Sequence, residues 1–305
     1  MKIDDIRHVL VVGAGTMGQK IALQCARHGY EVIAYDGFAK SLENAKERIP
    51  AYATELVSLG LMTADEVEAT LARITYTLNP EEGAQADLIS ESVLEDPELK
   101  GRIFAQFNVI CPPHTLFTTN TSTLLPSMFA AATGRPDKFA ALHFYGVWMK
   151  NLADIMPHPG TSPETLSLLV AFARRIGQVP TVMKKEYPGY IGNTLLGAKN
   201  DAAMKMVFVD KVASVEDVDR AFMLLEGTPQ GPFGWMDYNG LDTIWHVMES
   251  GANISGDPGA REFSDMFKRE YIDKGWLGVK SGKGFYSYPN PAYSQPDFLS
   301  GPGDN

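Results

Sequence analysis

Residues 9–18, VLVVGAGTMG, constrain this chain more than any other stretch. A short apolar run, 9–12, stops at Gly13, and an amphipathic segment, 19–27, begins just after the last glycine. An unbroken apolar run bounded by glycine is the pattern of a strand buried on both faces. Strand, GxGxxG turn and helix in that order make a phosphate-binding unit in which each glycine has its own task. Gly13 permits the sharp turn, Gly15 lets backbone approach a pyrophosphate, and Gly18 lets the helix pack closely on the strand. Thr16 and Met17 complete the turn, whose unpaired N–H groups at the helix start attract anions. A second apolar run, 32–35, ends in Asp36. A carboxylate about twenty residues beyond the glycines accepts the ribose hydroxyls of NAD and repels the extra phosphate of NADP. Gly13, Gly15, Thr16, Met17, Gly18 and Asp36 are therefore expected to bind NAD.

The rest of the first half alternates strand and helix. A charged helical stretch starts at Ser41, Pro50 is placed to start a second helix, and Thr63 with Glu66 forms a capping box for a third. This helical insertion spans 41–74. Strands are expected at 74–78, 86–93, 115–119, 140–145, 153–156 and 180–184, with helices at 96–109 and from Ser162 to Gly177. Such alternation makes an α/β fold with a doubly wound parallel sheet. From Pro188 onward only helices follow, at 190–209, 215–225, 241–249 and 262–274, so an all-α C-terminal domain is expected. The expected division is a dinucleotide-binding domain over 1–186, a helical domain over 187–288, and a flexible Pro-, Gly- and Ser-rich tail over 289–305.

A net charge of −10 argues against nucleic acid or an anionic membrane surface as partner. No apolar run reaches membrane-spanning length, and the polar start MKIDDIRH is unlike a secretory signal. Cys25 and Cys111 show neither metal-ligand nor disulfide spacing, which fits a reduced, cytoplasmic setting and no metal.

His143 follows a buried-looking strand and enters an irregular loop, HFYGVWMKNLAD, that closes at Asp154. A histidine at the carboxyl edge of such a sheet lies where ligands bind, and its near-neutral pKa suits proton exchange with an alcohol. Asp154, across a strand pair, is placed to orient the imidazole. A satisfied structural histidine explains the same spacing, and spacing does not decide between them. Asn120, Thr121, Ser122 and Thr123 form a hydroxyl-rich cluster at another strand end, suited to a substrate oxygen, to the nicotinamide, or simply to capping the next helix. Asn193 falls in the first turn of a helix, where asparagine is ordinarily a cap.

Seven motifs in order, GAGTMG with Asp36, ESVLEDPELK, NTSTL, HFY, PGYIGN, GPFGWMDYNGLD and GVKSGKGFYSY, resemble the L-3-hydroxyacyl-CoA dehydrogenase family. The resemblance implies a Rossmann-type NAD domain followed by a helical domain that serves substrate binding and homodimer formation. It implies His143 as the base in alcohol oxidation, Ser122 and Asn193 holding the reacting oxygen, and Glu95 and Lys100 joining Asn120 and Ser122 in the cofactor site. It also implies a small-molecule substrate, an L-3-hydroxyacyl-CoA interconverted with its 3-oxoacyl-CoA.

Three departures from the family pattern stand out. HFFNP reads HFYGV here; the histidine's usual glutamate partner corresponds to Asp154, one residue nearer; and the arginine after the helix asparagine is Thr194. In the helix after Asp36, where relatives meet coenzyme A, the chain offers Arg48 and Glu55. Trp148, in the altered loop, either walls a compact or aromatic substrate or packs the loop. These departures keep two alternatives open: a dehydrogenase of a free 3-hydroxy acid or aromatic hydroxy compound, and a non-catalytic NAD-binding protein.

Overall fold

The computed structural model describes residues 1–301. The chain divides into two compact units, Met1–Thr194 and a second that starts at Leu195. The first contains β1 (His8–Val12), α1 (Thr16–Arg27), β2 (Glu31–Tyr35), α2 (Ala39–Ser58), α3 (Ala64–Ala72), β3 (Ile74–Thr77) and β4 (Leu88–Glu91). It continues through α4 (Pro97–Ile110), β5 (Leu116–Thr119), β6 (Phe139–Phe144), β7 (Leu152–Pro157), α5 (Pro163–Arg175) and β8 (Val179–Val182), and ends in the first turn of α6 (Tyr190–Met204). The second unit holds the rest of α6, then α7 (Val215–Glu226), α8 (Pro232–Asn239), α9 (Leu241–Ser255) and α10 (Pro258–Phe267).

One eight-stranded sheet runs β3-β2-β1-β4-β5-β6-β7-β8, parallel throughout except where β6 meets β7. Chain order reverses between β1 and β4, and in a doubly wound sheet the crevice for a ligand opens at that reversal. Alternation along β1 serves two cores. Val9 and Val11 face a layer built from α1, α2 and α5, whereas Leu10 and Val12 face Phe104, Phe107, Phe117 and Phe139. All four side chains of the 9–12 run are buried, which is why the run carries no polar residue.

The helical insertion has two helices, not the expected three. Pro50 sits inside the 20-residue α2. A proline in a helix interior costs about 3 kcal/mol. Leu42, Ile49 and Leu56 lie on one buried stripe on both sides of it, and each contributes about 1.5–3 kcal/mol on burial. Packing of the stripe outweighs the lost backbone bond, so the helix runs through.

In the second unit two buried carboxylates account for the motifs GPFGWMD and GFYSY. Asp219 accepts the N–H groups of Phe233 (2.8 Å) and Gly234 (2.9 Å) and the Tyr286 hydroxyl (2.9 Å). Asp237 accepts the N–H groups of Phe285 and Tyr286, both at 2.9 Å, and the Tyr288 hydroxyl at 3.0 Å. The helix α8 held by Asp219 has no counterpart among the sequence expectations, because PFGWMDYN carries no apolar periodicity.

The segment 289–301 is docked, contrary to the expected flexible tail. Phe298 is buried beneath the Arg220 guanidinium, 4.7 Å above its ring, and Arg220 Nε donates to the Phe298 carbonyl at 2.6 Å. One aromatic anchor outweighs the Pro- and Gly-rich composition. Residues 302–305 of that expectation lie outside the described residues.

Candidate active site

Three clusters lie along the carboxyl edge of the sheet in the first unit. The first is the glycine turn after β1. Gly13 has φ +101°, and a Cβ there would stand 2.7 Å from the Ser92 carbonyl oxygen, so both conformation and contact require glycine. A Cβ on Gly18 would stand 1.8 Å from the Gly13 carbonyl oxygen, which fixes how closely α1 approaches β1. Gly15 differs: nothing lies within 4 Å of a Cβ there, because it borders a cavity of about 500 Å³. Ala14, Thr16, Gln19, Phe38, Lys40 and Asn44 share that lining. No side chain caps the N-terminus of α1, so its first N–H groups stay available to an anion.

Asp36 ties the turn to β2. One carboxylate oxygen accepts the Ala14 N–H at 2.8 Å and the other the Phe38 N–H at 2.9 Å. A smooth backbone cradle, an uncapped helix start and a carboxylate at the end of β2 fit a dinucleotide's pyrophosphate and ribose. The partly buried Met17 side chain packs against the core beside α1.

The second cluster closes β4. Glu91, fully buried, meets the equally buried Lys100 at 2.7 Å and also accepts the Thr119 hydroxyl (2.6 Å) and the Val93 N–H (2.7 Å). Burial pushes the Glu91 carboxyl above its ordinary pKa, and the Lys100 charge opposes that rise. Lys100 further donates to the Val93 carbonyl at 3.3 Å and lies 3.4 Å from Glu95. With 1% exposure and three oxygens around Nζ, it supports the carboxyl edge from beneath.

Glu95 organises the hydroxyl-rich loop. One of its oxygens accepts the Thr121 hydroxyl, the Ser122 N–H (3.1 Å), and the Thr123 N–H (3.0 Å) and hydroxyl (2.8 Å). Burial raises its pKa, but these bonds and the Lys100 charge together outweigh burial and hold it below the usual range. Ser122 is thereby fixed through its backbone, and its hydroxyl has no partner among the described residues. The Asn120 side-chain carbonyl accepts the Phe144 N–H at 2.9 Å, so that oxygen anchors the loop to β6. Glu91 is the residue sequence reading missed; its place at the end of an apolar strand, nine before Lys100, was the only sign.

The third cluster surrounds His143. Antiparallel pairing sets it directly across from Asp154. Tyr145 stands edge-on to the imidazole with centroids 4.5 Å apart, and Tyr190 covers it at 4.9 Å. Burial pushes the His143 pKa down to about 4, against the pull of Asp154 and Glu95. The ring is therefore neutral at physiological pH and able to accept a proton.

Asp154 makes no bond to His143, which corrects the expected dyad. It accepts the Tyr145 hydroxyl at 2.6 Å, the Thr181 hydroxyl, and the N–H groups of Ile191 (3.0 Å) and Gly192 (3.3 Å). The carboxylate thus caps the start of α6 from the neighbouring strand and acts on His143 only through its charge. Tyr145 accepts the Asn193 N–H at 3.1 Å, fixing the backbone of the residue directly after the capped N–H groups. A Cβ on Gly192 would lie 2.5 Å from the Tyr145 ring, so glycine there permits the contact. Trp148 packs the loop: it is buried edge-on against Tyr52 at 5.5 Å, with Lys20 above it at 5.1 Å.

The chain matches the 3-hydroxyacyl-CoA dehydrogenase NAD-binding domain over residues 8–187 and the C-terminal domain of the same family over 189–288. It is 33% identical to the probable 3-hydroxybutyryl-CoA dehydrogenase of Bacillus subtilis, over 93% of this chain and 98% of that one. It is 33% identical to the human mitochondrial hydroxyacyl-coenzyme A dehydrogenase, over 93% and 91%. Among solved structures it is similar to a diketoreductase of dicarbonyl compounds (39% identity, TM-score 0.86, covering 93% and 99%). It is also similar to the (S)-3-hydroxybutyryl-CoA dehydrogenase of Ralstonia eutropha (30% identity, TM-score 0.79, 93% and 100%).

Proposed function

The chain belongs to the 3-hydroxyacyl-CoA dehydrogenase family, NAD-dependent oxidoreductases of a CH–OH group, and from that premise we propose that His143 is its general acid–base. NAD, when bound, would supply the hydride acceptor, and Gly13, Gly15, Thr16, Gly18 and Asp36 would hold it. His143 takes the hydroxyl proton of an L-3-hydroxyacyl-CoA as the alcohol is oxidised, and returns it to the oxygen when a 3-oxoacyl-CoA is reduced. The Ser122 hydroxyl and the Asn193 amide hold that oxygen. A neutral, almost fully buried imidazole at the carboxyl edge, with one nitrogen enclosed and two tyrosine rings limiting its motion, is the observation that carries this reading.

His143→Ala tests it: NADH affinity should remain within about twofold while turnover of acetoacetyl-CoA falls about 10²–10⁴-fold. Undiminished turnover refutes the role.

The likeness to a diketoreductase, together with the shortened 145–151 loop, favours a second reading in which the substrate is a compact dicarbonyl compound without coenzyme A. Arg48, assigned to coenzyme A by resemblance, lies over the Tyr52 ring at 5.2 Å, and Glu55 is an exposed carboxylate that repels a nucleotide phosphate. Oxidation of NADH with acetoacetyl-CoA beside free 3-oxo acids and diketones separates the two readings. Turnover of the thioester supports the first, and turnover of the free compounds alone supports the second.

The helical unit would carry homodimer formation, since Leu195, Val209, Leu224 and Leu225 expose apolar surface on it. Two buried free thiols, Cys25 and Cys111, with that of Cys111 pushed up to about 12 by burial, fit a reducing cytoplasm.

A further inference from the structure

Asp154 receives four donors, from Tyr145, Thr181, Ile191 and Gly192. Three of them fall on Oδ2 and the Thr181 hydroxyl on Oδ1, and none comes from the imidazole across the strand pair. The His143 Nδ1 is nevertheless enclosed, and among the described residues it has no hydrogen-bond partner. The Tyr190 hydroxyl is in the same condition. Their rings are neighbours, 4.9 Å between centroids and 40° apart in plane, and Tyr190 is wholly buried. Buried polar atoms are seldom left unpaired, and one bond satisfies both of these. Tyr190 also has φ +55°, a left-handed conformation that a side chain of this size rarely adopts, with the ring held against the histidine.

We infer that the Tyr190 hydroxyl is the partner of His143 Nδ1, reached by a small ring rotation or through one enclosed water. Tyr190 then occupies the positioning role that Asp154 has given to the start of α6. This rests on His143 being the proton-exchanging group. The groups facing the imidazole are Asp154 from β7, Glu95 from the segment after β4, Tyr145 from the loop after β6 and Tyr190 from α6. With Nδ1–H donated to the phenol oxygen, Nε2 keeps its lone pair for the substrate proton. The same oxygen then stabilises the imidazolium that forms.

Tyr190→Phe keeps the ring and removes one oxygen. It should lower kcat about 10- to 100-fold with KM within about twofold. The acid limb of the kcat/KM profile should move to lower pH, because the imidazolium has lost a stabilising bond. An unmoved acid limb, with or without a lower kcat, overturns the inference. Nitrogen-15 NMR of labelled histidine in the unaltered protein tests it independently of that variant. The Nδ1–H tautomer of His143 is expected at neutral pH, and the Nε2–H tautomer overturns the assignment. His143→Gln separates the two levels. If it is inactive while Tyr190→Phe behaves like the parent, only the Tyr190 role fails. If it retains turnover, the proton-exchange reading fails and takes this inference with it.

Discussion

Gly15 and Gly18 occupy the same turn, yet alanine should act on them in opposite ways. At Gly15 the backbone is extended, with φ −70°, and a Cβ meets nothing within 4 Å. Alanine is therefore tolerated by the fold, and the narrower unfolded ensemble raises stability by about 0.4–1 kcal/mol. For a unit of this size that is a Tm increase of about 1–4 °C. The new methyl, however, projects into the space where a pyrophosphate must approach backbone N–H groups. Loss of one or two charge-assisted bonds of about 1.5–3 kcal/mol each weakens NADH binding by at least about tenfold. At Gly18 the Cβ falls 1.8 Å from the Gly13 carbonyl oxygen, so α1 must move by more than 1 Å from β1. Such overpacking costs about 1–3 kcal/mol and displaces the binding turn as well. Thermal unfolding with and without NADH, beside fluorescence titration of NADH, reads both quantities. Gly15→Ala that binds NADH within twofold of the parent, or that destabilises as much as Gly18→Ala, refutes the reasoning.

The buried histidine predicts a pH dependence of stability. His143 has a folded pKa of about 4 against an ordinary 6.5, so between those values the unfolded chain binds more protons. Stability due to this group is complete above pH 6.5 and is lost as pH falls toward 4, by up to about 3 kcal/mol. His143→Gln should flatten that limb in urea titrations, and an unchanged slope counts against it. Lys100→Met leaves Glu91 as an unpaired buried charge and should cost about 3–5 kcal/mol. The double change with Glu91→Gln should recover much of the loss, and strict additivity in thermal unfolding would refute the coupling.

The order of strands, the glycine turn and Asp36 were legible because their signals are local. A run of four apolar residues, a turn that only glycine fits and a carboxylate ending the next strand are each written within a few neighbouring positions. The Asn120–Thr123 loop was legible in place but not in role. Its organiser, Glu95, lies some 26 residues upstream along the chain, and its bonds exist only once β4 and β5 are paired. Pro50 misled because a helix break is a local cost and the buried stripe that offsets it is not.

Sequence alone therefore determined the α/β class, the dinucleotide turn and the placement of His143 at a strand end, since each follows from backbone geometry and residue period over short range. Only tertiary structure decided what surrounds that histidine. The loop after β6, β8 and the start of α6 converge on Asp154, and their four donors, none of them the imidazole, engage both of its oxygens. Burial by Tyr145 and Tyr190 then lowers the histidine's pKa. Hydrogen-bond capacity and desolvation depend on which distant segments meet in space, and no spacing along the chain records that.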